Sequence, residues 1–193
     1  ASRKTYLDAL LKAKDALMVI MGAIAIAVPV APATAATPDA PPNFSPLASD
    51  PQMQAILQRR WEEVQLCMTG KANLSATVMM GGLLESLLLA RINESPTPAA
   101  VFTAKSAARD KLGKTLPISD WKLTNMIEVA HELKWITKSA KDISNVLREF
   151  RNYIHPHKEF ADKVTIQEED VKIFWEITKA ITRQVLASSG KSP

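Results

Sequence analysis

Apolar residues return every three to four positions through most of this chain, and turn residues interrupt them at intervals. Asp50 followed by Pro51 has the chemistry of a helix start: a side chain that caps and a ring that suits the first turn. Met53, Ile56, Leu57, Val64 and Met68 then keep helical spacing up to Gly70, a natural stop. A second helix covers Asn73 to Asn93. It is apolar on most sides, which predicts a central position. Gly81 and Gly82 lie inside it, where glycine costs roughly 1 kcal/mol relative to alanine, so close approach by another helix is expected there. A third helix opens at Thr97-Pro98 and runs to Gly113. A fourth follows Pro117 and Ser119, with Leu123, Ile127, Ala130 and Leu133 on one face. A fifth begins at Ser139, which makes a capping-box spacing with Asp142, and ends at Pro156. The last starts at Thr165, paired with Glu168 in the same way. It turns Val171, Phe174, Trp175, Thr178, Ile181 and Val185 inward. No alternating run bounded by turns calls for a strand, and no repeat recurs. The predicted architecture is all-α, a bundle of about five to six helices with an N-terminal helical arm.

That arm is the uncharged stretch from Ala16 to Pro38, read as part of a helix from Lys4 to Ala27 packed on the main domain or on a second copy. It has a superficial likeness to a signal peptide or a short membrane span. Pro29 and Pro32 break it after about 13 residues, whereas about 20 are needed to cross a bilayer, so membrane contact is disfavoured. From Val28 onward prolines crowd the sequence and periodicity stops, as in a stiff linker. The chain therefore divides into an arm and linker over residues 1–49 and a helical domain over 50–193.

Composition changes this picture little. A net charge of +4 and a pI near 9.2 permit an acidic partner such as RNA, DNA or an anionic membrane without requiring one. Cys67 is the only cysteine, so there is no internal disulfide and no multi-cysteine zinc pattern. A reducing cytoplasm fits that usage, and Cys67 itself reads as packing. Phosphate-cradling glycine loops and the G-x-S-x-G nucleophile motif are missing. His131-Glu132 lacks a second histidine four residues on, where Trp135 stands, and reads as ordinary helix. His155, His157 and Glu159 flank a proline and make a poor metal site, so neither metal nor cofactor is expected.

The stretch LREFRNYIHPHKEF, residues 147–160, holds the remaining chemistry. On a regular helix with Ile143 at zero, Val146, Leu147, Phe150 and Ile154 fall within about 60° of it and form the buried stripe. Arg151, His155 and Arg148 fall at roughly 80°, 120° and 140°, a polar strip along one edge. Asn152, at about 180°, joins the strip only if the helix distorts before Pro156. Two guanidiniums offer planar forks that match phosphate oxygens, and an imidazole can move a proton near neutrality. Basic residues in a last helical turn are also favoured by the helix dipole alone.

With the apolar helix VMMGGLLESLLLARI before it, LREFRNYIHPHKE resembles the HEPN superfamily of helical domains, over about Asp50 to Ser188. Many members are metal-independent ribonucleases of toxin–antitoxin, phage-defence and RNA-processing systems. Their motif joins an arginine, a polar residue and a histidine. Here Arg151-Asn152 looks like its start, and His155 or His157 its end, with Arg148 in support. Three residues separate Arg151 from His155, tighter than the family's usual gap. Arg148 to His155, with six between, and Arg151 to His157, with five, both fit it. The resemblance implies a homodimer whose two strips face one cleft, RNA as substrate, and a protein partner such as an antitoxin. The alternative is a non-catalytic dimerisation or protein-interaction module, in which Arg148 and Arg151 make salt bridges, with Glu85 as a partner.

Overall fold

The computed structural model describes residues 39–189. The predicted arm helix and half of the proline-rich linker lie outside the described residues. Within them the chain forms seven α-helices and two short 3₁₀ turns, and no strand. The architecture is the expected all-α bundle.

Helix α1, Pro51–Thr69, starts where the sequence places it. Asp50 caps it by accepting from the Gln52 amide at 2.8 Å, and Gly70 closes it. Helix α2, Asn73–Asn93, is the axis of the bundle, with Met80, Leu83, Leu84, Leu87 and Leu88 buried. It is long and apolar enough to cross a bilayer, yet half of its apolar window is covered by its neighbours. Helix α3 is short, Pro98–Thr103, and does not reach Gly113. The amides that would continue it are taken by other acceptors: Lys105 and Ser106 donate to the Glu132 carboxylate at 2.8 and 3.0 Å. Beyond them the Asp110 side chain accepts from Leu112 and Lys114, and Gly113 turns the chain at φ +80°.

Helix α4, Leu123–Glu132, and helix α5, Lys138–Arg151, follow. The cap of α5 is Thr137, whose hydroxyl accepts from the Ala140 amide; Ser139 does not cap, and Asp142 pairs with Lys138 instead. After Arg151 the chain tightens into a 3₁₀ turn, Asn152–Ile154, then opens helix α6, Pro156–Asp162. The sequence reading missed α6 because proline ends helices from inside but also begins them at the first position. Helix α7, Glu168–Ser189, begins three residues later than Thr165; Asp170 holds the Gln167 amide at its start. Its buried face is the expected one: Val171, Phe174, Trp175, Thr178, Ile181 and Val185.

The packed body begins before Asp50, in residues assigned above to the linker. Phe44, Leu47 and Ala48 are buried in the core. The Asp39 carbonyl accepts from the Trp61 indole and from Gln65, while its carboxylate takes the Trp175 indole and the Lys179 ammonium, each at 2.8 Å. Proline-rich composition signalled an extended path here, and the path is indeed non-helical, but its apolar side chains are buried, with the Phe44 ring against Trp61 of α1.

Candidate functional site

Helix α5 meets α2 closely because Gly81 lets it. A Cβ at Gly81 would lie 2.5 Å from Cδ, 3.1 Å from Cβ and 3.3 Å from Cγ of Arg151. The residues of α5 that bury are Ala140, Ser144 and Leu147, and Arg151 continues that row one turn on. The inward stripe is therefore turned by about 70° from the one centred on Ile143. Val146 and Phe150 are half-buried and pack on the core from its edge. Arg151 lies on this inner row, its stem against Gly81 and its head at the rim.

That head is occupied. Arg151 Nη1 donates to Glu85 Oε2 at 2.7 Å and reaches the Gly81 carbonyl at 3.4 Å. Glu85, a carboxylate within an apolar helix, has its explanation in this pair. Both side chains remain partly exposed, so the pair contributes about 0.5–1 kcal/mol at most.

The 3₁₀ turn then alters the register on which the sequence reading depended. It carries Asn152 round to the same side as Arg151, and it brings Ile154 out to 52% exposure. A recess of about 280 Å³ results, lined by Arg60, Val78, Met79, Gly82, Arg151, Asn152, Ile154 and His155. His155 is exposed and sits between the turn and α6, with its carbonyl accepting from the Lys158 and Glu159 amides. His157 is also exposed, one residue inside α6, and does not line the recess. Arg148 is likewise elsewhere: it pairs with Glu149, which also takes Lys158 at 3.2 Å. Of the five residues singled out in the sequence, the structure brings together Arg151, Asn152 and His155, and leaves Arg148 and His157 apart.

Arg60 is the residue that the sequence reading missed. Its Nη1 lies 3.1 Å from where a Cβ on Gly82 would stand, and its Nε is buried with no acceptor among the described residues. Trp61, buried between Leu57 and Val64, carries the apolar series of α1 through this turn, so spacing alone does not single out Arg60 beside it. Adjacent glycines on α2 thus seat two arginines, Arg151 on Gly81 and Arg60 on Gly82. Among the described residues no three histidine, cysteine or acidic side chains converge as a metal site.

Two guanidiniums, an amide and an imidazole on one concavity can hold a phosphodiester and move a proton beside it. No family model, curated protein or solved structure matches this chain.

Proposed function

We propose that the chain is a HEPN-like, metal-independent endoribonuclease that works as a homodimer in the cytoplasm, in a toxin–antitoxin or phage-defence setting with a protein partner such as an antitoxin. The observation that carries the reading is the convergence of Arg60, Arg151, Asn152 and His155 on one recess. The arginines bind the scissile phosphate and the charge that grows on it. His155 takes the proton from a ribose 2′-hydroxyl, whose oxygen attacks the adjacent phosphorus. The bond to the 5′-oxygen breaks, and a second imidazole, from His155 of the paired copy, protonates that oxygen. The products are a 2′,3′-cyclic phosphate and a 5′-hydroxyl end.

The test is incubation of the pure protein with RNA in EDTA, with end-group analysis. Cleavage should fall by roughly 10²- to 10⁴-fold in His155→Ala, and it should persist in Arg148→Ala. Absence of cleavage by the native protein, or its survival in His155→Ala, overturns the reading.

One observation favours the second reading, a non-catalytic interaction module: Glu85 already neutralises Arg151. Glu85→Gln separates the two. As a nuclease the variant binds RNA more tightly, since Arg151 is released to phosphate. As a structural module it loses stability and gains no affinity for RNA.

A further inference from the structure

A larger cleft lies where the ends of α2 and α4, the start of α5 and the end of α7 come together, with a volume of about 870 Å³, within the range of small-molecule sites. None of the recess residues lines it. Its wall contains Arg91, whose residue surface is 3% exposed. The Arg91 guanidinium stands over the Trp135 ring, 4.2 Å from the centroid. Its Nε donates to Ser188 Oγ at 3.0 Å and one Nη to the Ser188 carbonyl at 3.1 Å. The other, Nη1, is buried and has no acceptor among the described residues. Burial pushes the guanidinium below its ordinary pKa, and among the described residues no carboxylate pairs with it. Removing a cation from water without an anion is costly, and such groups in proteins are normally paired.

The rest of the lining fits an anion with an apolar body. Lys134, Lys138 and His131 stand with Arg91 on the cleft, and no acidic residue is among its described lining. The amino end of α5, a helix of 14 residues, opens at Thr137 beside them. Ala100, Leu133, Trp135, Ile136 and Ala187 supply the apolar wall. Lys138 is held by Asp142 at 2.6 Å, so Arg91 and Lys134 are the cations left to a ligand.

We propose that this cleft binds a small organic carboxylate with an apolar body, its carboxylate on Arg91 and its body along Trp135. A planar guanidinium meets a carboxylate with two parallel hydrogen bonds, so the missing acceptor of Nη1 is the ligand's oxygen. The probes are octanoate and its neutral analogue octanamide, titrated into the full chain while the tryptophan indole N–H signals are followed by NMR. Octanoate should move the Trp135 signal and bind about tenfold to a hundredfold more tightly than octanamide, the range for a charge-assisted pair. Arg91→Met, which keeps the volume and removes the charge, should bring the two probes to equal affinity. Equal binding of acid and amide by the native protein overturns the proposal, as does a response at Trp61, Trp121 or Trp175 in place of Trp135. Because the native chain alone supplies both readouts, an Arg91→Met protein that fails to fold leaves the test intact.

Discussion

Gly81→Ala and Gly82→Ala are the same substitution in the same helix, one residue apart, and they should have opposite effects. On an open helix each would gain roughly 1 kcal/mol of propensity. At position 82 the new methyl meets only Arg60 Nη1, at 3.1 Å, the free end of a long side chain that can move aside. Most of the gain survives, so Gly82→Ala should stabilise by about 0.5–1 kcal/mol. At position 81 the methyl meets Cδ of Arg151 at 2.5 Å and Cβ at 3.1 Å. Cδ can swing, but Cβ is fixed to the α5 backbone, so the helices must separate or the side chain must leave Glu85. Overpacking of this kind costs about 1–3 kcal/mol, and the lost ion pair about 0.5–1 kcal/mol. Set against the propensity gain, Gly81→Ala should destabilise by about 1–2 kcal/mol. Because the propensity contribution is common to both, the difference between them, about 2 kcal/mol, measures the α2–α5 approach alone. Urea unfolding followed by far-ultraviolet circular dichroism reads it. If the two variants agree within about 0.5 kcal/mol, or Gly81→Ala is the more stable, the close packing described here is wrong.

Arg60→Met should weaken binding of a fluorescent single-stranded RNA and lower the slope of log affinity against log salt by about one contact's worth, measured by anisotropy. His157→Ala should leave RNA cleavage in EDTA within about twofold of native, and an equal loss in His157→Ala and His155→Ala would refute the register assigned to the site. Leu147→Ala, at a fully buried side chain, should cost about 2–5 kcal/mol in the same urea assay. Asp39 is held below its ordinary carboxyl pKa, chiefly by the hydrogen bond from Lys179. Its contribution is therefore complete above about pH 4 and is lost as pH falls through the lower folded value. Asp39→Asn should remove about 0.5–1 kcal/mol at neutral pH, given a half-exposed pair, and flatten the acid limb of stability against pH.

The helices that the sequence placed well carry either chemical punctuation at both ends or an unbroken apolar run. Asp50-Pro51 and Gly70 bracket α1, and the continuous apolar run Asn73–Asn93 could only be a central helix. Where two side chains compete for one role, sequence spacing could not choose between them. Thr137 and Ser139 both suit a cap of α5, and it is the Thr137 hydroxyl that accepts the Ala140 amide. The third helix was overdrawn because its amides are captured by Glu132, a tertiary partner 27 residues away from Lys105. At the candidate site, the residue types were legible and their register was not. A regular helix puts Asn152 about 100° round from Arg151; the 3₁₀ turn that reunites them is a backbone event with no side-chain signature. Arg60 required knowing which face of α1 meets Gly82, and that information lies in the packing of two helices.

Residues 39–49 bear on the order in which the molecule assembles. Asp39 reaches Trp175 and Lys179 across 136 and 140 positions of chain, while α1 and α2 are joined by a short turn. Local pairs close quickly and distant ones late, so the helices come together before this strap is laid over them. Its release breaks none of the helices' own backbone hydrogen bonds. The strap is then the first part to lift in partial opening, and it uncovers the Trp61 and Trp175 rings, which pack 4.5 Å apart beneath it.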